Sequence, residues 1–68
     1  MTLLAPTEVR IGDRLRTGGF EVTVARIEPD MLGWKGLWAF IEDSPERWLK
    51  VVASGEDEIE LIAREEGN

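Results

Sequence analysis

The clearest pattern in the chain is an alternation of apolar and polar residues with a period of two, which predicts half-buried β-strands. In the segment 20–27, apolar side chains occupy positions 20, 22 and 24, and polar side chains occupy positions 21 and 23. Its β-branched residues favour a strand further. A second alternation covers 58–63. Both segments are therefore predicted to be strands with one buried face.

Turn-forming residues separate these two segments from other short apolar stretches. Gly18 and Gly19 predict a tight hairpin turn after the segment 9–16, because glycine adopts the positive φ angles that such turns require. The segments 36–42 and 47–53 are predicted as the third and fourth strands, and 58–63 as the fifth. No apolar pattern with a helical period extends over a long segment of the chain.

The segment 45–53 fits two structures. Ser44 followed by Pro45 is a good helix start, and Gly55 could end the helix. Pro45 suits the second position of a type I turn equally well. A hairpin that places Glu42 opposite Arg47 would pair opposite charges across its strands. We therefore predict a strand at 47–53, with a helix at 45–53 as the alternative.

In this predicted hairpin, both faces are apolar. One face carries Trp38, Phe40, Leu49 and Val51, and the other carries Leu37, Ala39, Ile41, Trp48, Lys50 and Val52. A small barrel has only one interior, so the second face requires cover from the chain itself or from another molecule. Because Lys50 lies in the middle of the second face, we assign that face to the outside and the Trp38 face to the core.

Five short strands without a long helix predict an all-β fold, a five-stranded meander closing into a small barrel. The run Val9-Arg10-Ile11-Gly12-Asp13-Arg14-Leu15, followed by a hairpin, resembles the SH3-like small-barrel class. The acidic and aromatic ligand positions of signalling SH3 domains are not present, so the resemblance implies an architecture and no proline-rich ligand. The compact, Trp-containing, Cys-free chain is also similar to small proteins of actinobacterial phages. We expect an N-terminal arm at 1–7, one domain at 8–64 and a disordered tail at 65–68.

The composition removes most catalytic chemistry from consideration. The 68 residues include neither His nor Cys, so they lack the usual transition-metal ligands and the usual activators of a serine nucleophile. We therefore expect no enzymatic activity, no metal and no cofactor. No apolar run is long enough to span a membrane. The N-terminus also lacks the basic segment of a signal peptide, so a cytoplasmic protein without a membrane partner is expected.

Charge and exposed apolar residues suggest two functions. The first is protein binding or self-association, in a homo-oligomer or with another and basic protein, because the net charge is −6 and one hairpin face is uncovered. The predicted contact residues are Trp34, Leu37, Ile41, Trp48, Lys50 and Val52. The alternative is association with nucleic acid, either through mimicry by the acidic segment 56–66 or through direct contacts. The predicted direct contacts are Arg10, Arg14, Arg16 and Arg26.

Overall fold

The computed structural model describes residues 2–30 and 33–64, and these residues form an all-β fold. The all-β prediction is thus confirmed. The described ranges contain no α-helix, and a 3-10 turn lies at Pro6–Glu8. The strands are β1 (Thr2–Leu4), β2 (Arg14–Thr17), β3 (Phe20–Thr23), β4 (Arg26–Pro29), β5 (Leu37–Asp43), β6 (Trp48–Ser54) and β7 (Ile59–Ala63).

The strands form two antiparallel sheets, which replace the five-stranded meander expected from the sequence. One sheet has the order β1-β7-β2-β3, and the other has the order β4-β5-β6. The segment 20–27, predicted as one strand, is divided at Val24 and Ala25 into β3 of the first sheet and β4 of the second. A strand that changes sheet at a bend is a common way to make the corner of a two-sheet structure.

The N-terminal segment differs from the arm expected from the sequence. Residues 2–4, assigned to an arm, form β1 and pair with β7, with Leu4 opposite Ile59. The tail predicted at 65–68 lies outside the described residues.

The core lies between the two sheets and consists of inward-facing residues from both. Leu15 and Val22 come from the β2–β3 hairpin, Ile59 from β7, and Phe40 and Val51 from the β5–β6 hairpin. Trp38, Leu49, Ile27 and Leu61 pack against this cluster and are partly buried. Since a domain of about this size buries only ~60% of its unfolded surface, few residues carry its stability.

The helix alternative at 45–53 is wrong, because β6 is a strand paired with β5. The predicted register of this hairpin is wrong as well. Glu42 lies opposite Leu49, and Asp43 lies opposite Trp48. The turn is tighter than expected: the backbone groups of Ser44 and Arg47 bond to each other at 3.0 and 3.3 Å, so only two residues form the loop. The register differs by two residues, and a shift of two leaves every side chain on its predicted face.

One ion pair holds the end of β7 to the loop before β2. Asp13 is buried, and its carboxylate accepts hydrogen bonds from the Arg64 guanidinium at 2.8 and 2.9 Å and from the Arg10 amide at 2.9 Å. The hydrogen bond from Arg64 lowers the pKa of Asp13 against the opposing effect of burial. A buried carboxylate with three donors is a satisfied structural charge.

Candidate functional site

An open groove of about 350 Å³ lies along one side of β6. The β2–β3 hairpin forms one wall, and the strand β6 forms the other. The lining residues are Thr17, Gly18, Phe20, Leu49, Lys50, Val51 and Val52. The groove therefore lies where an edge of one sheet approaches the hairpin tip of the other.

The backbone of β6 is open toward this groove. At the turn end of the β5–β6 hairpin, the backbone of Ser44 is hydrogen-bonded to that of Arg47. At the other end, the Gly55 amide donates to the Gly36 carbonyl. In an antiparallel pair, bonded and non-bonded positions alternate, so β6 bonds to β5 through residues 49, 51 and 53. Trp48, Lys50 and Val52 consequently direct their N–H and C=O groups away from β5. Within the described residues, β6 pairs with β5 alone and forms the edge of its sheet.

The edge of β3 shows what a closed edge looks like in the same molecule. The Thr23 amide donates to the Glu42 carboxylate at 2.8 Å, and the Arg47 guanidinium donates to the Glu21 carbonyl at 2.7 Å. Glu42 and Arg47 also pair with each other at 2.8 Å. The Arg47 hydrogen bond, helped by the Thr23 amide, lowers the pKa of Glu42 to about 2. Side chains of the β5–β6 hairpin therefore satisfy the outward-facing amide of Thr23 and the outward-facing carbonyl of Glu21.

The predicted contact face is only partly accessible. Trp48 and Val52 are 59% and 47% exposed, and they lie on the outer face of β6 as its alternation indicates. Ile41, predicted as a contact, is only 1% exposed, and Leu37 is half-buried. Both belong to β5, the central strand of a three-stranded sheet, where side chains of β4 and β6 lie on either side of them.

Lys50 lies on this outer face but does not obstruct the free edge of β6. Its ammonium forms an ion pair with the Glu28 carboxylate of β4 at 3.3 Å. Glu28 lies opposite Ala39 of β5, and Lys50 lies opposite Ile41. The ion pair therefore crosses the outer face of β5 and holds the Lys50 ammonium toward β4.

Trp34 is not grouped with Trp48. It is 68% exposed in the β4–β5 loop, and its carbonyl accepts a hydrogen bond from the Leu37 amide at 3.3 Å. Trp48 lies opposite Asp43, at the other end of the same hairpin. Because β5 has seven residues, the two tryptophans lie at opposite ends of a strand about 20 Å long.

The four arginines of the nucleic-acid alternative do not form one strip. Arg14 and Arg16 pair with Glu21 at 3.2 Å, and Arg16 also pairs with Glu60 at 3.2 Å. Arg26 lies on β4 of the other sheet, and Arg10 lies in the loop before β2.

Acidic residues flank both ends of β6. Asp43 and Glu46 lie at the turn end, and Glu56, Asp57 and Glu58 follow the other end. All five are exposed, and within the described part of the chain none of them belongs to an ion pair. In the same residues, no acidic cluster is arranged to hold a metal ion. No helix there has the length and apolarity needed to cross a membrane.

Phe20 is the groove residue that the sequence analysis missed. The alternation placed it on the inner face with Val22 and Val24, which are buried, yet Phe20 is 56% exposed. Its position directly after the Gly18-Gly19 turn was the available signal, because residues at a hairpin tip extend past the core. A search of protein families, curated proteins and solved structures finds no match for this chain.

Proposed function

We propose that this chain is a non-enzymatic protein-binding module, built as a small SH3-like barrel that is left open along β6. The run Val9 to Leu15 and the arrangement of two sheets around one core support the architecture. The contact surface consists of Phe20, the β6 edge and the outer residues Trp48 and Val52. We call it the β6 surface.

One observation carries this proposal: exposed apolar side chains lie on both sides of an open groove. Phe20 on one wall and Val52 on the other are each about half exposed. Trp48 extends the apolar area along the outer face of β6. Large apolar side chains at a concave site supply most of the affinity of protein contacts, and tryptophan is enriched among the residues that dominate it.

Peptide selection with matched variants tests the proposal. A phage-displayed library of random twelve-residue peptides is selected on the purified chain, and the affinity of the enriched peptides is measured by calorimetry. We expect Phe20→Ser and Trp48→Ser each to weaken binding by about tenfold or more, since an interface anchor contributes ~2 kcal/mol.

Ile11→Ser and Trp34→Ser are the matched controls, because both residues are at least as exposed but lie elsewhere. They should leave the affinity unchanged. A library that yields no binder, or binders that depend on Trp34 and Ile11 instead, would contradict a binding function for the β6 surface.

A further inference from the structure

We propose that the β6 surface, if it binds protein as argued above, does so by strand addition: an extended, basic peptide segment of a partner pairs with the free edge of β6. The partner segment would lie in the groove between β6 and the β2–β3 hairpin.

The first argument is the contrast between the edges of the two sheets. Proteins commonly protect exposed edges with short strands, proline, or side chains that occupy the edge. Within the described residues, β1 has three residues, and β4 has four and contains Pro29. The outward groups of Glu21 and Thr23 on β3 are bonded to Arg47 and Glu42. β6 has seven residues, no proline, and no such bonds at Trp48, Lys50 or Val52.

The second argument is that the groove has the shape that strand addition requires. An added strand bonds to the edge through its backbone, while alternate side chains enter neighbouring pockets. Beside the β6 edge, the groove offers Leu49 and Val51 on its inner side and Phe20 on its opposite wall. A partner segment with alternating apolar residues would therefore place one row of side chains against these residues.

The third argument is that the charges at the ends of β6 favour a basic partner segment. Within the described residues, exposed carboxylates without ion pairs lie at both ends of β6, at Asp43 and Glu46 and at 56–58. Of these, Asp57 also accepts a hydrogen bond from the Ser54 amide at 2.8 Å. The two groups of carboxylates are separated by a strand of seven residues, about 20 Å long when extended. The only cation on β6 itself, Lys50, is paired with Glu28. A segment of similar length with Lys or Arg near each end would meet opposite charge at both ends.

The same charges disfavour a second copy of this chain as the occupant. Two β6 strands related by a two-fold axis would run antiparallel, so the turn end of one would lie beside the 56–58 end of the other. That arrangement brings carboxylates against carboxylates at both ends of the interface. Like charges placed together across an interface oppose association.

The test uses the peptides selected as described above. We expect the enriched sequences to alternate apolar residues and to carry Lys or Arg at the ends. Synthetic copies are prepared with N-methyl groups on alternate backbone amides, in both phases, because methylation removes the donor of a pairing strand. One phase should weaken binding by about tenfold or more, and the other should have a smaller effect, since only alternate amides face the edge.

Two substitutions of Val52 test whether the backbone amide at this position takes part in peptide binding. Val52→Pro removes an edge-facing amide without breaking a bond to β5, and an edge strand tolerates such a proline. Val52→Thr retains the amide and is the control. The affinity should be about tenfold or more lower in Val52→Pro than in Val52→Thr, while circular dichroism shows both folded, and equal affinities would contradict strand addition. Hydrogen exchange provides a second measurement on the unmodified chain: the peptide should protect the amides of Trp48, Lys50 and Val52.

Each other outcome overturns a defined part of the proposal. Peptides that need Phe20 and Trp48 but tolerate N-methylation in both phases, and leave the three amides unprotected, would retain protein binding and remove strand addition. Acidic or neutral flanks in the enriched peptides would overturn the basic partner. Concentration-dependent dimers in sedimentation, lost in Val52→Pro, would make a second copy the occupant.

Discussion

At the scale of single residues, two tryptophans on one hairpin have opposite environments. Trp38 faces inward and packs against the core, while Trp48 is mostly exposed on the outer face. Trp38 lies opposite Ala53, and Trp48 is an odd number of residues from Ala53 along β6, so the two tryptophans lie on opposite faces of the sheet. A register shift of two residues preserves this arrangement, whereas a shift of one would reverse it. One of them serves stability, and the other is available for contact.

Truncating each tryptophan should therefore have separable effects. Trp38→Ala should lower the free energy of unfolding by about 3–5 kcal/mol, because it leaves a cavity beside the core of a small domain. Trp48→Ala should change it by about 0.5 kcal/mol or less, because the side chain is mostly in water. Chemical denaturation of both variants gives the two values. A larger loss for Trp48→Ala than for Trp38→Ala would mean that the two faces are assigned the wrong way round.

At the scale of elements, the edges of β3 and β6 differ because one is closed by side chains. Glu42 supplies the acceptor for Thr23, and Arg47 supplies the donor for Glu21, as a neighbouring strand would. The ion pair that suggested a hairpin register thus has a second role, since it attaches one sheet to the other. β6 has no equivalent attachment within the described residues, and this difference defines the groove.

The contribution of Glu42 to the free energy of unfolding should depend on pH. The pKa of Glu42 is lowered from 4.5 to about 2, chiefly by its hydrogen bond from Arg47. A lowered pKa in the folded state stabilises the fold above the unfolded value of 4.5, and this contribution is lost as the pH falls from 4.5 toward 2. Glu42→Gln should cost about 1–2 kcal/mol at neutral pH, and the difference from the unmodified chain should shrink toward pH 2.

Urea denaturation at a series of pH values measures this difference. The control is Glu46→Gln, in the turn of the same hairpin, where the side chain is exposed and has no ion pair in the described residues. It should change stability by about 0.5 kcal/mol or less at neutral pH. A cost of Glu42→Gln that stays constant from neutral pH to pH 2 would contradict an ionised Glu42 as the group that closes β3.

At the scale of the whole molecule, the distribution of charge bears on the choice of partner. The net charge is −6, and five exposed carboxylates that have no ion pair within the described residues lie at the two ends of β6. The arginines of β2 are paired with Glu21 and Glu60 and are thereby neutralised. Such a surface attracts basic proteins and repels phosphate.

We accordingly predict no measurable binding of DNA or RNA at an ionic strength of about 0.15 M. Fluorescence anisotropy with labelled single-stranded and double-stranded oligonucleotides, repeated over a series of salt concentrations, is the measurement. Binding that weakens steeply with salt and is lost in an Arg14→Gln, Arg16→Gln double variant would instead support the nucleic-acid alternative.

The sequence by itself determined the properties that depend on local alternation. The strand character of 20–23, 48–53 and 59–63 follows from β-branched and apolar residues at a period of two, and so does the division of the β5–β6 hairpin into two faces. The turn at Gly18 and Gly19 also follows from local chemistry, since both adopt positive φ angles of 59° and 83°. These features survive an error of two in the register.

Only the tertiary structure decided which strands became neighbours and which edges stayed open. Ile41 is buried because β5 is a central strand, and Phe20 is exposed because its hairpin extends beyond the core; neither fact is contained in alternation alone. The bend at Ala25 places β3 and β4 in different sheets, and the buried ion pair joins Asp13 to Arg64, which is 51 residues away in sequence. Periodicity specifies which face of a strand is apolar, but long-range pairing specifies what covers that face.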